Sequence, residues 1–98
     1  MRLVFLALAV EDLASIRKVI AALYVAASLK QIIKKLAIMP NIGKLGRVFD
    51  TRELVTPKIG KTLYVVVYRV KETRLEILRI LLGMRDIDRI LDEGMDNL

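Results

Sequence analysis

The residues that could do chemistry in this chain are cations, because two of the most used catalytic side chains are absent. There is no histidine and no cysteine. That removes the common ligands of zinc and haem and the commonest general base, so no metal or other cofactor is expected. It also excludes disulfides, in keeping with a reducing compartment. Seventeen Lys and Arg stand against eleven Asp and Glu, a formal charge of +6. Such a balance favours acidic partners: nucleic acid, an anionic membrane or an acidic protein. Arg79 and Arg85 share alternation parity with Ile77 and Leu81. If Leu78, Ile80 and Leu82 face a core, both arginines point to the open face of a sheet, where Arg69 of a neighbouring strand can join them. Lys30, Lys34 and Lys35 gather on one side of a helical segment. Cations so placed can hold phosphate or carboxylate, but an arginine alone is a poor base at neutral pH because it stays protonated. The bland alternative is solvated charge: arginines paired with Glu53, Glu72 or Glu76, and lysines on the wet side of a helix.

These cations need elements to position them. Arg2 to Leu6 is a short apolar run that predicts a strand. From about Leu8 the pattern turns helical, with Leu13, Ile16, Ile20 and Leu23 on one face, and Glu11 and Asp12 expected in the first turn. The stripe then slips to Val25, Leu29, Ile32, Leu36 and Met39. The slip implies two helices, or one sharply bent helix, with the change near Leu23–Ala27. Pro40 ends the helical region, and Asn41 to Asp50, with Gly43 and Gly46, reads as a loop whose glycines set its shape. Thr51 to Thr56 predicts a strand, and Pro57 to Gly60 a turn. Thr62 to Val70 is β-branched and aromatic and predicts a central strand, with Tyr64 and Tyr68 on its core side. Lys71-Glu72-Thr73 closes a hairpin into a last strand over Arg74 to Gly83. Asp86 can cap a short helix that buries Ile87, Ile90 and Leu91 and stops at Gly94. The expectation is a single α+β domain over residues 1–98, an antiparallel sheet with helices on one face and a short C-terminal helix. The apolar stretch Val19 to Leu29 is eleven residues long, well short of the ~20 that a membrane span needs. With no leader pattern apparent, a cytoplasmic protein without membrane contact is expected.

Four pieces of this sequence, in order, resemble ParE-type toxins of the RelE/ParE toxin–antitoxin superfamily, the plasmid stabilisation family. They are Asp12-Leu13 with Ile16; Pro40 to Lys44 with Gly46-Arg47; Thr51 to Val55 followed by Tyr64 to Val70; and Ile77 to Ile87. Phe5-Leu6 stands where the family often has Trp-Thr, and Leu82 where histidine is frequent. The helical region between Asp12 and Pro40 is several residues shorter than is typical.

The resemblance implies a β-α-α-β-β-β fold and the toxin of a type II toxin–antitoxin system. ParE-like members inhibit DNA gyrase by binding, trapping its cleaved-DNA state, and are neutralised by an acidic ParD-like antitoxin. The partners it implies are therefore an antitoxin in a hetero-oligomer and DNA gyrase, with possible indirect contact to DNA. RelE-like members instead cut messenger RNA on the ribosome with clustered Lys and Arg and a tyrosine in the C-terminal helix. Here Leu91 stands near that tyrosine position, and Arg85 is the remaining weak catalytic candidate. Three readings stay open: a gyrase inhibitor, which leads; a ribosome-dependent endoribonuclease; and a non-toxic relative that keeps antitoxin binding. The candidate contacts to target or antitoxin are Arg69, Arg79, Arg85, Lys30 and Lys34.

Overall fold

A computed structural model describes residues 1–20, 23–83 and 87–95. In chain order the elements are β1 (Arg2–Phe5), α1 (Ala7–Ile20), α2 (Leu23–Ile38), β2 (Lys44–Leu45), β3 (Arg52–Val55), β4 (Tyr64–Val70), β5 (Arg74–Leu82) and α3 (Ile87–Met95). The five strands form one sheet in the order β1-β5-β4-β3-β2. β1 runs parallel to β5 and every other pairing is antiparallel. This is the expected α+β architecture, with α1 and α2 over the first half of the chain and residues 21–22 between them outside the described residues.

The β-branched run of β4 makes it a central strand, and alternation sorts its side chains between two cores. Tyr64, Val66 and Tyr68 pack with Leu75, Ile77 and Ile80 of β5 against Ile16 of α1 and Val25, Leu29, Ile33 and Leu36 of α2. Val65 and Val67 face the other way, with Leu78 and Leu81, and receive Ile87 and Leu91 of α3. Helices therefore cover both faces of the sheet. Burying Ile87 and Leu91 contributes roughly 1.5–3 kcal/mol each towards holding α3 in place.

Several details depart from expectation. The bonded register places Val67 opposite Arg79 but Tyr68 opposite Ile77, so Leu78 is the extra residue of a bulge. A bulge flips side-chain parity, which is why Ile77 and Ile80 share one core while Leu78 and Leu81 share the other. In α2, Val25, Leu29 and Leu36 are buried as expected, but Ile33 is buried in place of Ile32, which is half-buried, and Met39 beyond the helix is exposed. The first turn of α1 holds no acidic residue, because the helix begins at Ala7 and Asp12 falls in its second turn. The presumed loop after Pro40 contains β2, which pairs Lys44 with Glu53 and Leu45 with Arg52. α3 continues through Gly94 to Met95, and its expected cap, Asp86, lies outside the described residues.

Candidate functional site

Arg79 owes its position to the bulge. Its Nε donates to Asp12 Oδ2 at 2.7 Å and its Nη2 to Asp12 Oδ1 at 2.9 Å. The same Asp12 Oδ2 accepts the Ile80 amide at 2.9 Å. β1 covers the outer edge of β5 only from Arg74 to Ile77. Where it stops, the Asp12 carboxylate takes its place and satisfies an edge N–H that would otherwise lack a partner. The condition that put Arg79 on an open sheet face is thus not met. Its fork is bidentate, four-fifths or more buried, and the Asp12 hydrogen bond raises its pKa further above the ordinary arginine value.

Arg69 points elsewhere. Its guanidinium reaches Glu76 Oε1 at 2.7 Å, and Arg74 Nε donates to Glu76 Oε2 at 2.9 Å. Burial pushes the Glu76 carboxyl up, but the hydrogen bonds from Arg69 and Arg74 outweigh it and hold the group below the usual range. Arg69 and Arg79 are therefore anchored to different carboxylates rather than gathered in one patch, and Arg85 lies outside the described residues. Lys30 and Lys34 are exposed on α2. With Leu3 and Phe5 of β1 and Ile33 of α2 they line a groove of about 150 Å³, beside the outer side of β1, which pairs with no strand among the described residues.

Arg47 is the network that sequence reasoning missed. Its amide and Nε donate to Glu53 Oε2 at 2.9 and 3.0 Å, its Nη2 to Glu53 Oε1 at 3.0 Å, and its Nη1 to Asp88 of α3 at 3.0 Å. Burial pushes the Glu53 carboxyl up, yet the side-chain and backbone hydrogen bonds of Arg47 bring it below the usual carboxylate value. The signal was present in Gly46-Arg47 and Arg52-Glu53-Leu54, read separately; only β2–β3 pairing shows that they interlock. Tyr68 pins the same region: its hydroxyl donates to Pro40 O at 2.7 Å and accepts the Gly43 amide at 2.9 Å. A Cβ on Gly43 would stand 2.5 Å from that hydroxyl, so the glycine there serves close approach rather than phosphate binding.

Chemically, the arrangement offers cations held protonated in carboxylate pairs, two exposed lysines beside an apolar groove, and exposed apolar side chains after α2. Charged groups so held are suited to binding and poorly suited to accepting a proton. Among the described residues no group of three or more acidic residues could hold a metal ion, and no helix is long and apolar enough to cross a membrane.

A family model described as ParE toxin of type II toxin–antitoxin system, parDE, matches residues 3–87. Among solved structures, a chain of the chromosomal ParDE toxin–antitoxin system from P. aeruginosa superposes with a TM-score of 0.61 at 22% identity, covering 86% of this chain and 97% of that one. At that identity the likeness speaks for the fold. No curated protein matches the chain.

Proposed function

This chain belongs to the ParE toxin family of type II toxin–antitoxin systems, and on that premise we propose that it inhibits DNA gyrase by binding and is neutralised by an acidic ParD-like antitoxin. The observation that carries the reading is the family match over nearly the whole length. The arginine–carboxylate pairing supports a binder over a ribonuclease, since general acid–base work needs a group that titrates near neutrality.

The groove between β1 and α2 is the antitoxin site in this reading. An extended acidic segment adds to the free side of β1, lays apolar side chains on Leu3, Phe5 and Ile33, and meets Lys30 and Lys34 with its carboxylates. Arg69, Arg74 and Arg79 contribute field rather than direct contacts, because their forks are already engaged. Reversing both lysines, Lys30→Glu with Lys34→Glu, is expected to weaken antitoxin binding at least tenfold by calorimetry while leaving gyrase inhibition intact. The proposal is tested by measuring supercoiling with purified gyrase and added chain. Untouched supercoiling, with message cut on translating ribosomes instead, sinks it.

A further inference from the structure

The most exposed large apolar side chain among the described residues is Phe49, at 96% of its free area. A lone exposed ring is ordinary, but Phe49 shares one groove with the exposed Leu45, and a contiguous apolar patch of that kind marks an interaction surface. The turn that carries it is closed by hydrogen bonds on both sides of the ring. Thr51 N and Thr51 Oγ1 both donate to Val48 O, at 3.2 and 2.6 Å, and Gly46 N donates to Thr51 O at 2.8 Å. Phe49 therefore occupies the apex of a closed turn. The following residue, Asp50, has φ 62°, the sign that a type II turn demands and that favours glycine. The Asp50 carboxylate at that position reaches Lys71 at 3.1 Å. A hydrogen-bonded turn that presents an aromatic ring suits a binding anchor, since less backbone ordering remains to be lost on association. Beside the ring lies an open groove of about 440 Å³ lined by Leu45, Val48, Arg52 and Val70, and Leu45 is itself 78% exposed.

We infer that Phe49 anchors the chain to its protein target, a surface with an apolar socket for the ring and a border of carboxylates. This rests on the toxin reading above. The charge around the turn selects that partner: Asp50 and Glu53 are already paired with Lys71 and Arg47, whereas Lys44 and Arg52 form no salt bridge among the described residues, and Arg52, donating only to the neutral Gly43 O at 2.7 Å, keeps its charge uncompensated. A second copy of the chain would bring these cations face to face. The turn also sits by β2, at the opposite edge of the sheet from β1 and the antitoxin groove.

The test compares Phe49→Asp with Leu82→Asp, a change at an exposed leucine of β5, in the full chain. Phe49→Asp is expected to weaken gyrase inhibition and growth arrest on induction at least tenfold, with unchanged antitoxin affinity and thermal unfolding. Leu82→Asp is expected to behave as the parent. Equal potency of Phe49→Asp overturns the inference while leaving the toxin reading standing. Loss of antitoxin affinity, or a parent dimer in sedimentation that Phe49→Asp dissolves, overturns it in favour of those occupants. A parent chain inert towards both gyrase and growth overturns the inference and the toxin reading together.

Discussion

Tyr64 and Tyr68 stand on one face of β4 and both are fully buried, but only Tyr68 has partners for its hydroxyl. The Tyr64 hydroxyl finds none among the described residues. Removing an unpaired buried hydroxyl relieves a desolvation cost, whereas removing a paired one strands its partners. Tyr64→Phe is therefore expected to be neutral or stabilising by up to about 1 kcal/mol, and Tyr68→Phe to destabilise by about 1–3 kcal/mol in chemical denaturation. The reverse order would contradict the assignment. Glu53 and Glu76 carry the acid dependence. Both are held below their ordinary value of 4.5, so their contribution is present above that value and is lost as pH falls through the lower native values. Melting temperature is expected to change little between pH 7 and 5 on their account, and to fall progressively below about pH 4.5. Glu76→Gln should make that acid slope shallower; an unchanged slope would show that the carboxylate is not its source. At this scale the sequence was half legible. Glu76 was a foreseen partner for arginine, while Glu53 was foreseen as a partner but not for Arg47.

Among the elements, β5 depends on two neighbours for one edge: β1 as far as Ile77, and Asp12 of α1 beyond it. Asp12→Ala leaves the Arg79 guanidinium and the Ile80 amide without their carboxylate. Breaking such a largely buried pair costs about 3 kcal/mol. Exchange of the Ile80 amide should also quicken more than that of Val66 in the middle of the sheet. Equal protection of both amides in parent and variant would refute the capping role. The strands were legible because β-branched and aromatic runs bounded by turn residues have few other uses. The bulge at Leu78 was not, because Ile77 to Leu82 is apolar at every position but Arg79, and a strand buried on both faces shows no alternation to betray a slipped register. β2 was hidden for another reason: two residues carry no period, and its pairing with β3 places Lys44 opposite Glu53, a contact local pattern does not show.

The whole molecule joins an apolar sheet, covered by helices on both faces, to a surface with a formal charge of +6. Overall architecture was legible in the order of the elements, and family membership in four ordered motifs. The candidate site was less so. Lys30 and Lys34 came out beside an apolar groove, whereas Arg69 and Arg79 came out tied to separate carboxylates, a difference created by long-range pairing that local pattern cannot encode. Two edges of one sheet now carry the two proposed contacts, the β1 groove for an antitoxin and the turn at Phe49 for the target. The central claim is that this chain acts by binding gyrase in its cleaved-DNA state. It is tested most directly by incubating purified gyrase, plasmid and ATP with the chain, then trapping covalent complexes with detergent and protease. The account predicts linear DNA rising with dose and disappearing when the antitoxin is added. Plasmid that stays uncleaved and fully supercoiled at every dose would contradict it.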